Sequence, residues 1–379
     1  MSLIVLKFGG SSVGTASRFE NVASIIEGHI GAGRRVAVVV SAMQGMTNQL
    51  VDLTKNFTKT SIGRENDAVV SAGEQISSGL LALALKKRGI EARSFQGWQI
   101  PITTESVFGE SRISYIRKDL LVDQSYVPVI SGFQGVSESG DITTLGRGGS
   151  DATAVAVAHV IEADECLIYT DVDGVYTADP RLVLNAEKLR SISYNEMLEL
   201  AINGAKVLQA ASVDIAKSYR VKLRVLSSFA ADQNCGGTII TNETEYITPI
   251  KIAGITHNSS CFSFNLSSSH EPIVEKLSSQ NIAVTHIADS LYYANKLHKY
   301  EILEAIDGQN SNVDNDIGII NIVGIGAMDI SDDVVKMLLT SDVVVKNTFN
   351  SDLSFSIVVP FQQAELAINI LHAMLFSAL

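Results

Sequence analysis

The first residues with the chemistry of an active site stand together near the N-terminus. The stretch Lys7-Phe-Gly-Gly-Ser-Ser12 places a lysine at the end of a predicted strand, then two glycines and two hydroxyl side chains before a helix. Backbone N–H groups that glycine leaves open bind anionic oxygens, and a lysine ammonium neutralises charge on a transferred phosphoryl group. The stretch predicts a phosphate site. A plain strand-to-helix turn has the same composition, however, and the Gly-Lys-Ser/Thr ending of the Walker A motif is missing from the sequence.

A second cluster, Thr144-Leu-Gly-Arg-Gly-Gly-Ser-Asp151, leads into a helical pattern that begins at Ala152. Its glycines leave room for a ligand, and Arg147 offers a planar fork that suits a carboxylate or a phosphate. Ser150 or Asp151 is in position to cap the helix. A flexible turn with an N-cap is the alternative interpretation of the same residues.

A third cluster is the acidic loop Thr170-Asp-Val-Asp-Gly-Val-Tyr-Thr-Ala-Asp-Pro-Arg181, which directly follows a predicted buried strand. Its spacing does not fit an EF-hand, because Gly174 comes too early and no glutamate stands at the twelfth place. Dinucleotide binding is disfavoured because Gly146-x-Gly148 and Gly324-x-Gly326 both lack the third glycine of the fingerprint.

The elements that must position these clusters indicate an α/β fold. Four runs are largely apolar without alternation, as parallel strands covered on both faces are: 3–8, 35–41, 127–131 and 165–170. Helical patterns such as 73–88 and 151–161 lie between them. The predicted fold class is therefore α/β, with an open, mostly parallel sheet that carries helices on both faces and ends near residue 243.

The remaining chain changes in composition, with more serine and asparagine and shorter alternating segments. Two copies of a small α+β pattern are predicted there. The first copy has strands at 250–257, 261–266 and 282–286 and a helix at 271–280. The second copy has strands at 319–323, 343–348 and 353–359 and helices at 331–340 and 362–376.

Composition excludes several classes of protein. The formal net charge of −12 provides no basic field for nucleic acid. Apolar stretches shorter than about 18 residues and the absence of a signal pattern predict no membrane partner and a cytoplasmic location. The three widely spaced cysteines fit reduced thiols, and no histidine has ligand spacing, so no protein residue is assigned to a metal.

Five motifs together resemble the aspartate kinase family, in its single-function bacterial form. They occur in the order and approximate spacing of that family: Lys7-Phe-Gly-Gly-Ser-Ser-Val, Val40-Ser-Ala-Met, Ser71-Ala-Gly-Glu, Thr144-Leu-Gly-Arg-Gly-Gly-Ser-Asp and Thr170-Asp-Val-Asp-Gly-Val-Tyr. The resemblance is close over roughly residues 3 to 240. It implies an amino-acid-kinase domain at 1–243 and ACT-like modules at 250–316 and 317–379, the second of which strand 250–257 could complete.

The resemblance also implies the reaction. ATP would donate its γ-phosphoryl group to the β-carboxylate of L-aspartate with Mg²⁺ as cofactor, giving 4-phospho-L-aspartate, the first step toward lysine, threonine, methionine and diaminopimelate. The acceptor carboxylate has a pKa near 3.9 and is already an anion at neutral pH, so no strong general base is needed. The site must instead align two anions and neutralise their repulsion.

Residue roles follow from the resemblance, motif by motif. Lys7 and Asp151 would form the catalytic centre. The residues implied for ATP binding are Lys7, Phe8, Gly9, Gly10, Ser11, Thr170, Asp171, Tyr176, Arg181 and Lys206. Those implied for aspartate binding are Ser41, Thr47, Glu74, Arg147, Gly148, Gly149 and Ser150. Without the family context, Glu74 and Lys206 would be read as solvated helix charges.

Two rival functions stay open at this point: an enzyme of the same fold that phosphorylates glutamate, N-acetylglutamate or UMP, and a catalytically silent regulatory subunit. A homodimer paired through the ACT modules is expected, with a separate regulatory chain as the alternative. The stretch Ser269–Ile273 lacks the family's Asp-x-Pro-Gly effector turn. After a predicted strand at Tyr300–Leu303, a polar loop at 307–316 replaces the expected second helix. We therefore expect weak or absent feedback inhibition by lysine or threonine.

Overall fold

The protein is described by a computed structural model. The residues it describes are 2–58, 62–122, 125–230, 236–266, 271–279, 282, 284–288, 290–306 and 312–376. By internal contacts the chain forms two compact units. The N-terminal unit contains 1–175, 190–198 and 206–245, and the C-terminal unit contains 176–189, 199–205 and 246–379. The domain boundaries inferred from the sequence stay predictions.

The N-terminal unit is built on an eight-stranded sheet within the described residues. Its strands, in spatial order, are β10 (Ser191–Ser193), β12 (Thr238–Thr241), β11 (Leu223–Ser227), β9 (Glu165–Thr170), β1 (Leu3–Phe8), β2 (Arg35–Val40), β6 (Val127–Ser131) and β3 (Ala92–Phe95). From β11 through to β3 every pair is parallel, and β12 runs antiparallel to β11. The predicted open, mostly parallel sheet is present.

Helices cover this sheet, so its central strands are buried along nearly their whole length. The helices of the unit are α1 (Ala16–Gly31), α2 (Met46–Thr54), α3 (Arg64–Val70), α4 (Ala72–Lys87), α5 (Gly149–Val160), α7 (Ala210–Tyr219) and the first residues of α6 (Tyr194–Ile202). Leu6 and Val38 of the sheet pack in one core with Ile26 of α1 and Leu81 of α4. Helix α5 is buried from Gly149 to Ala158, which its small alanine, threonine and valine side chains allow.

A small second sheet belongs to the same unit. Its order is β5 (Ile113–Ile116), β4 (Ile102–Thr104), β7 (Gln134–Val136) and β8 (Ile142–Thr144). Strand β8 ends at Thr144, where the second glycine-rich cluster begins. The sheet therefore fixes the start of the loop that carries Arg147.

The C-terminal unit contains two small α+β modules, each with a four-stranded antiparallel sheet, and the first of them runs βαββαβ along the chain. The first module consists of β14 (Cys261–Asn265), α8 (Glu271–Ser279), β15 (Val284–Ala288), β16 (Leu291–Asn295), α9 (Lys299–Ala305) and β17 (Val313–Asp314), with the sheet order β15-β16-β14-β17. Phe262, Phe264 and Leu277 lie in its core.

The second module takes one strand from ahead of the first. It consists of β13 (Gly254–Asn258), β18 (Gly318–Val323), α10 (Ser331–Thr340), β19 (Asn347–Asn350), β20 (Ser354–Val359) and α11 (Ala364–Phe376), with the sheet order β13-β18-β20-β19. Strand β13 pairs antiparallel with β18, from Gly254 opposite Val323 to Asn258 opposite Ile319.

Three expectations about this unit were wrong. Tyr300–Leu303 is not a strand but part of α9, because Ile302 and Ile306 face the core at helical spacing. The first module thus keeps its second helix, and of the loop predicted at 307–316, residues 307–311 lie outside the described residues while Val313–Asp314 form β17. The strand expected from residue 250 begins only at Gly254, since Lys251 has a left-handed backbone (φ +60°).

The third correction concerns 343–348. The strand begins only at Asn347, because the Val344 N–H bonds to Oε1 of Gln363 instead of to a neighbouring strand. Of the altered effector turn, Ser269 and His270 lie outside the described residues.

One helical stretch, Arg64–Lys87, has the length and apolar composition of a membrane span among the described residues. Over half of its apolar window is buried within the protein, and Leu81 and Leu85 on it are fully buried in the core of the N-terminal unit. That burial is typical of a core helix of a globular protein.

Candidate active site

Lys7 lies at the centre of the candidate site, near the carboxyl end of β1. Its ammonium is 2.6 Å from Oδ1 of Asp151, and the two residues are only 7% and 8% exposed. Asp151 lies in the first turn of α5, where the helix dipole favours a negative charge. A buried lysine is therefore held in one position by a carboxylate that arrives from a different element.

The start of α5 differs from what the sequence predicts. Neither Ser150 nor Asp151 caps the helix, because both lie within its first turn. The N-cap is Gly148, whose left-handed backbone (φ +75°) suits glycine and which has no side chain to offer. The capping position thus leaves the first N–H groups of the helix to other acceptors.

The glycine turn after β1 is closely packed. A Cβ on Gly10 would lie 2.8 Å from the carbonyl oxygen of Ala42, so no larger residue fits there. The Gly9 N–H donates to the carbonyl of Tyr169 at 3.1 Å, and the Ser12 N–H donates to the carbonyl of Gly9. Residues 10–13 form one turn of 3₁₀ helix. The turn is thus fixed beside Lys7, as a phosphate site requires.

Glu74 lies in the first turn of α4 and is 3% exposed. Its Oε1 accepts the Ala42 N–H at 3.0 Å, while its Oε2 is buried without a hydrogen-bond partner among the described residues. Burial raises the pKa of Glu74 to about 7, against the opposing effects of the Ala42 N–H and the Lys7 charge. A buried carboxylate with one unpaired oxygen is ready to receive a cation.

Arg147 lies on the loop between β8 and α5 with its side chain exposed. Gly146 and Gly148 on either side have left-handed backbones, and Gly149 packs against Phe133 so closely that a Cβ would meet its ring at 2.9 Å. In the described part of the chain the Arg147 guanidinium forms no salt bridge. The loop therefore presents a free planar cation.

The remaining predicted residues are placed as follows. The Ser41 N–H donates to the Phe8 carbonyl, and Ser41 is half-buried. Thr47 is half-buried in the first turn of α2. Thr170 ends β9, the strand beside β1, and its hydroxyl donates to Asp171.

Three further residues are predicted to contact the nucleotide, namely Lys206, Tyr176 and Arg181. Lys206 is exposed in the N-terminal unit. Tyr176 and Arg181 belong to the segment 176–189 of the C-terminal unit, where the Arg181 guanidinium donates to both carboxylate oxygens of Asp179, at 2.9 Å to Oδ1 and 2.7 Å to Oδ2. The contribution of these three residues to the site stays a prediction.

Sequence reasoning missed several residues of the site. Ala42 contributes its backbone, and its side chain packs on Gly73 so tightly that a Cβ there would come within 2.7 Å. Tyr169 stacks on Phe8 with ring centroids 4.8 Å apart. The Tyr169 hydroxyl forms a hydrogen bond with Nε2 of His29 at 2.9 Å. Burial raises the pKa of Tyr169 and lowers the pKa of His29 to about 4. Nothing in the identity of an alanine or a core tyrosine signals such a role.

The site offers few side chains that could bind Mg²⁺. The described residues contain no group of three or more His, Cys, Asp or Glu side chains that could hold a metal ion. Mg²⁺ in kinases keeps several waters and uses one or two carboxylates together with the substrate phosphates. Asp151 beside the glycine turn provides one such carboxylate, so the site fits a metal that arrives with ATP.

Comparison with known proteins gives the family. The amino acid kinase family matches residues 2–227. An aspartate kinase of Stutzerimonas stutzeri is 39% identical over 401 residues, which cover 98% of this chain and 97% of that protein. An aspartate kinase of Pseudomonas putida is 40% identical over 403 residues, with the same coverage. The chain belongs to the aspartate kinases of the amino acid kinase family. It is therefore a phosphotransferase, and the prediction of an enzyme instead of a silent regulatory subunit is confirmed.

Solved structures show the same fold. Escherichia coli aspartokinase III, in complex with aspartate and ADP, superimposes with a TM-score of 0.80 over 99% of this chain and 100% of that one, at 24% identity. Clostridium acetobutylicum aspartate kinase gives a TM-score of 0.77 over 98% and 100%, at 21% identity. The predicted fold class, an amino-acid-kinase sheet followed by ACT-like modules, is confirmed.

Proposed function

We propose that this aspartate kinase transfers the γ-phosphoryl group of ATP to the β-carboxylate of L-aspartate at the centre formed by Lys7 and Asp151. The observation that carries the proposal is the buried pair itself, 2.6 Å apart beside a glycine turn. Relatives named aspartate kinase along 98% of the chain give the acceptor. The E. coli aspartokinase III that shares the fold was crystallised with aspartate and ADP.

ATP is proposed to bind with its phosphates on the glycine turn. Gly10 and Ser11 offer N–H groups there, whereas the N–H of Gly9, which is proposed to line the turn, is already bonded to the Tyr169 carbonyl. The Lys7 ammonium stabilises the charge that spreads over the γ-phosphoryl oxygens in the transition state. Asp151 holds the lysine ammonium in one position, since a buried ammonium without a partner is strongly disfavoured. Phe8, Thr170, Asp171, Tyr176, Arg181 and Lys206 are proposed for the rest of the nucleotide site.

Aspartate is proposed to be recognised through two of its charged groups. The fork of Arg147 pairs with a carboxylate, and the free Oε2 of Glu74 receives the α-ammonium. Ser41, Thr47, Gly148, Gly149 and Ser150 complete the pocket in this proposal. A β-carboxylate oxygen then attacks the γ-phosphorus, the bond to the β,γ-bridging oxygen breaks, and ADP leaves.

Mg²⁺ is the proposed cofactor, which the ATP phosphates and the Asp151 carboxylate would hold. When bound, the ion neutralises phosphate charge that would repel the incoming carboxylate. The protein residues align the two substrates and exclude water, since the acceptor needs no deprotonation.

The test is ADP release from Mg²⁺-ATP with L-aspartate, L-glutamate, N-acetyl-L-glutamate or UMP as the acceptor, and any acyl phosphate formed is also trapped by hydroxylamine as the hydroxamate. The proposal predicts hydroxamate from aspartate, with kcat/KM at least about a hundredfold above that of each other acceptor. Phosphorylation of glutamate or UMP without turnover of aspartate would overturn it and favour another member of the same fold.

We also propose a homodimer that pairs through the ACT-like modules, and a cytoplasmic location. Both described cysteines, Cys166 and Cys261, are free and buried, which fits a reducing compartment. Light scattering on the purified chain tests the assembly. A mass of twice the 40.6 kDa chain is expected, and a monomer that associates only with a different chain would favour the alternative of a separate regulatory chain.

A further inference from the structure

We propose that Asp67 is a positioning residue that holds Arg147 and Glu74 at the spacing needed to recognise aspartate. The inference rests on the proposed function, because it concerns the same substrate pocket. Asp67 touches neither substrate in this account. It acts through the two chain segments on which the aspartate-binding side chains are carried.

Asp67 is a buried carboxylate that accepts several hydrogen bonds. It lies on α3, is 1% exposed, and accepts three hydrogen bonds from two separate segments. Its Oδ2 accepts the N–H of Thr144 at 2.7 Å and the N–H of Gly109 at 3.0 Å, and its Oδ1 accepts the Thr144 hydroxyl at 3.0 Å. Hydrogen bonds to a carboxylate in a water-poor environment are about twice as strong as neutral ones.

One side of this contact leads to Arg147. Thr144 is the last residue of β8, and its carbonyl also accepts the N–H of Ser111 at 2.8 Å. The next residue, Leu145, donates its N–H to the carbonyl of Phe133. The chain beyond that point turns through the left-handed Gly146 directly into Arg147. Asp67 thus fixes the anchored end of a short glycine loop whose exposed residue is the arginine.

The other side leads to Glu74. The Asp67 carbonyl accepts the N–H of Ser71, which joins α3 to α4, and Glu74 stands one helical turn further on. The Ser71 carbonyl in turn accepts Nε2 of Gln134 at 3.0 Å. A single residue therefore connects, by its side chain and by its backbone, the two segments that carry the proposed contacts to the carboxylate and the ammonium of aspartate.

A carboxylate suits this position because it accepts from all three partners, two of which are backbone N–H groups that can only donate. An asparagine of the same shape could accept both N–H groups with Oδ1 and donate its NH₂ to the Thr144 hydroxyl, but these neutral bonds are about half as strong as bonds to a carboxylate. The loop would then keep its fold but not its spacing, and substrate alignment falls off steeply with small displacements.

The test compares Asp67→Asn with Asp141→Asn in steady-state kinetics. Asp141 is the matched control, since it accepts Nε of Arg64 at 2.6 Å and ties the other end of α3 to the start of β8 without touching Thr144. For Asp67→Asn we expect KM for aspartate to rise about tenfold or more, with KM for ATP within about twofold of wild type. Asp141→Asn should keep both values.

A merely structural role predicts a different outcome, in which Asp67→Asn lowers the melting temperature and the active fraction while KM for aspartate stays unchanged. That result, or an equal rise in both KM values, would overturn the inference. If Asp67→Asn does not fold, Thr144→Val removes only the hydroxyl bond. It should raise KM for aspartate about threefold while Thr144→Ser, which keeps the hydroxyl, stays near wild type.

Failure of the inference is distinct from failure of the proposed function. Wild-type enzyme that phosphorylates aspartate, together with an Asp67→Asn variant of normal KM, would sink the positioning role alone. Wild-type enzyme without aspartate turnover would sink the function itself, whatever the variants do.

Discussion

Two glutamates on helices, one in each unit, show how differently the protein treats its carboxylates. Glu74 of α4 is buried with one oxygen bonded to the Ala42 N–H and the other unpartnered, and burial raises its pKa to about 7. Glu199 on the C-terminal part of α6 is half-buried, and its Oε1 accepts hydrogen bonds from Ser351, Ser354 and Asn203 at 2.7, 2.6 and 3.1 Å.

The difference in hydrogen bonding distinguishes a binding-site carboxylate from one that stabilises the fold. A buried polar atom without a hydrogen-bond partner costs about 1–3 kcal/mol, so such atoms are expected mainly where function requires them. In the second module, buried Asn321 donates to the carbonyl of Asn203 and accepts from Ser356, and such mutual bonds hold the sheet together. We therefore expect substitutions around Glu74 to change kinetics and those around Glu199 and Asn321 to change stability.

Lys7→Ala should have the largest effect on catalysis. It removes the charge that stabilises the transferred phosphoryl group and leaves the Asp151 carboxylate buried alone. We expect kcat to fall by about a hundredfold or more. Lys55→Ala is the matched control, because Lys55 is exposed and pairs only with its helix neighbour Asp52 among the described residues. A near-normal kcat for Lys7→Ala would remove this residue from the centre.

Arg147→Lys tests substrate recognition. Lysine keeps the charge but loses the planar two-point fork, so KM for aspartate should rise about tenfold while KM for ATP changes little. Arg117→Lys, on an exposed arginine paired with Asp119, serves as the control. Equal effects on both KM values would contradict the assignment of Arg147 to aspartate.

The pH dependence of aspartate binding tests Glu74. Since burial raises its pKa to about 7, the carboxyl group is neutral below that pH and loses its attraction for the α-ammonium. KM for aspartate should therefore rise several-fold from pH 8 to pH 6. Glu74→Gln should have a raised and nearly pH-independent KM, and Glu199→Gln should keep the wild-type profile. A flat wild-type profile would count against Glu74.

The same shift has a consequence for stability. A raised pKa in the folded state means that folding favours the protonated carboxyl, so the Glu74 contribution is present at low pH and is lost as the pH rises through about 7. Glu74→Gln should therefore be more stable relative to wild type at pH 8 than at pH 5, when both are measured by urea unfolding without ligands.

Asn321→Ala should leave the kinetics intact and reduce stability. The substitution leaves the Ser356 hydroxyl and the Asn203 carbonyl without this partner in the buried sheet. We expect a loss of about 2 kcal/mol in the free energy of unfolding with both KM values within twofold of wild type. A selective rise in KM for aspartate would break the distinction between site and scaffold.

The smallest expected effect is that of lysine and threonine on turnover. The expectation of weak inhibition loses one of its two grounds, since α9 is present in the first module. It now rests on the altered turn at Ser269–Ile273. Inhibition curves with each amino acid and with both together are the measurement, and half-inhibition below about 1 mM effector would show that a working effector site survives.

The sequence was most informative where a motif and an element end at the same residue. Strands β1, β6 and β9 begin and end where the apolar runs predict, because their burial on both faces leaves an unambiguous pattern. The glycine clusters at Gly10 and Gly148 were found for the same reason, since tight backbone approach and left-handed turns demand glycine.

Tertiary contacts were beyond the sequence. Asp67 stands in Glu65-Asn-Asp67 like any solvated helix carboxylate, and only folding brings Thr144 to it. Tyr300–Leu303 alternates like a strand, yet Ile302 and Ile306 pack as one face of a helix. Short segments carry both periodicities, so the partner that buries them decides the structure.

The most direct test of the account is identification of the phosphorylated group. The enzyme is incubated with Mg²⁺-ATP and L-aspartate, and the acyl phosphate is reduced with borohydride, which converts the activated carboxyl to an alcohol. Homoserine is the predicted product, formed by wild type and at least about a hundredfold more slowly by Lys7→Ala. The isomeric 3-amino-4-hydroxybutyrate, which reports transfer to the α-carboxylate, or equal rates for the two proteins would contradict transfer to the β-carboxylate at the Lys7–Asp151 centre.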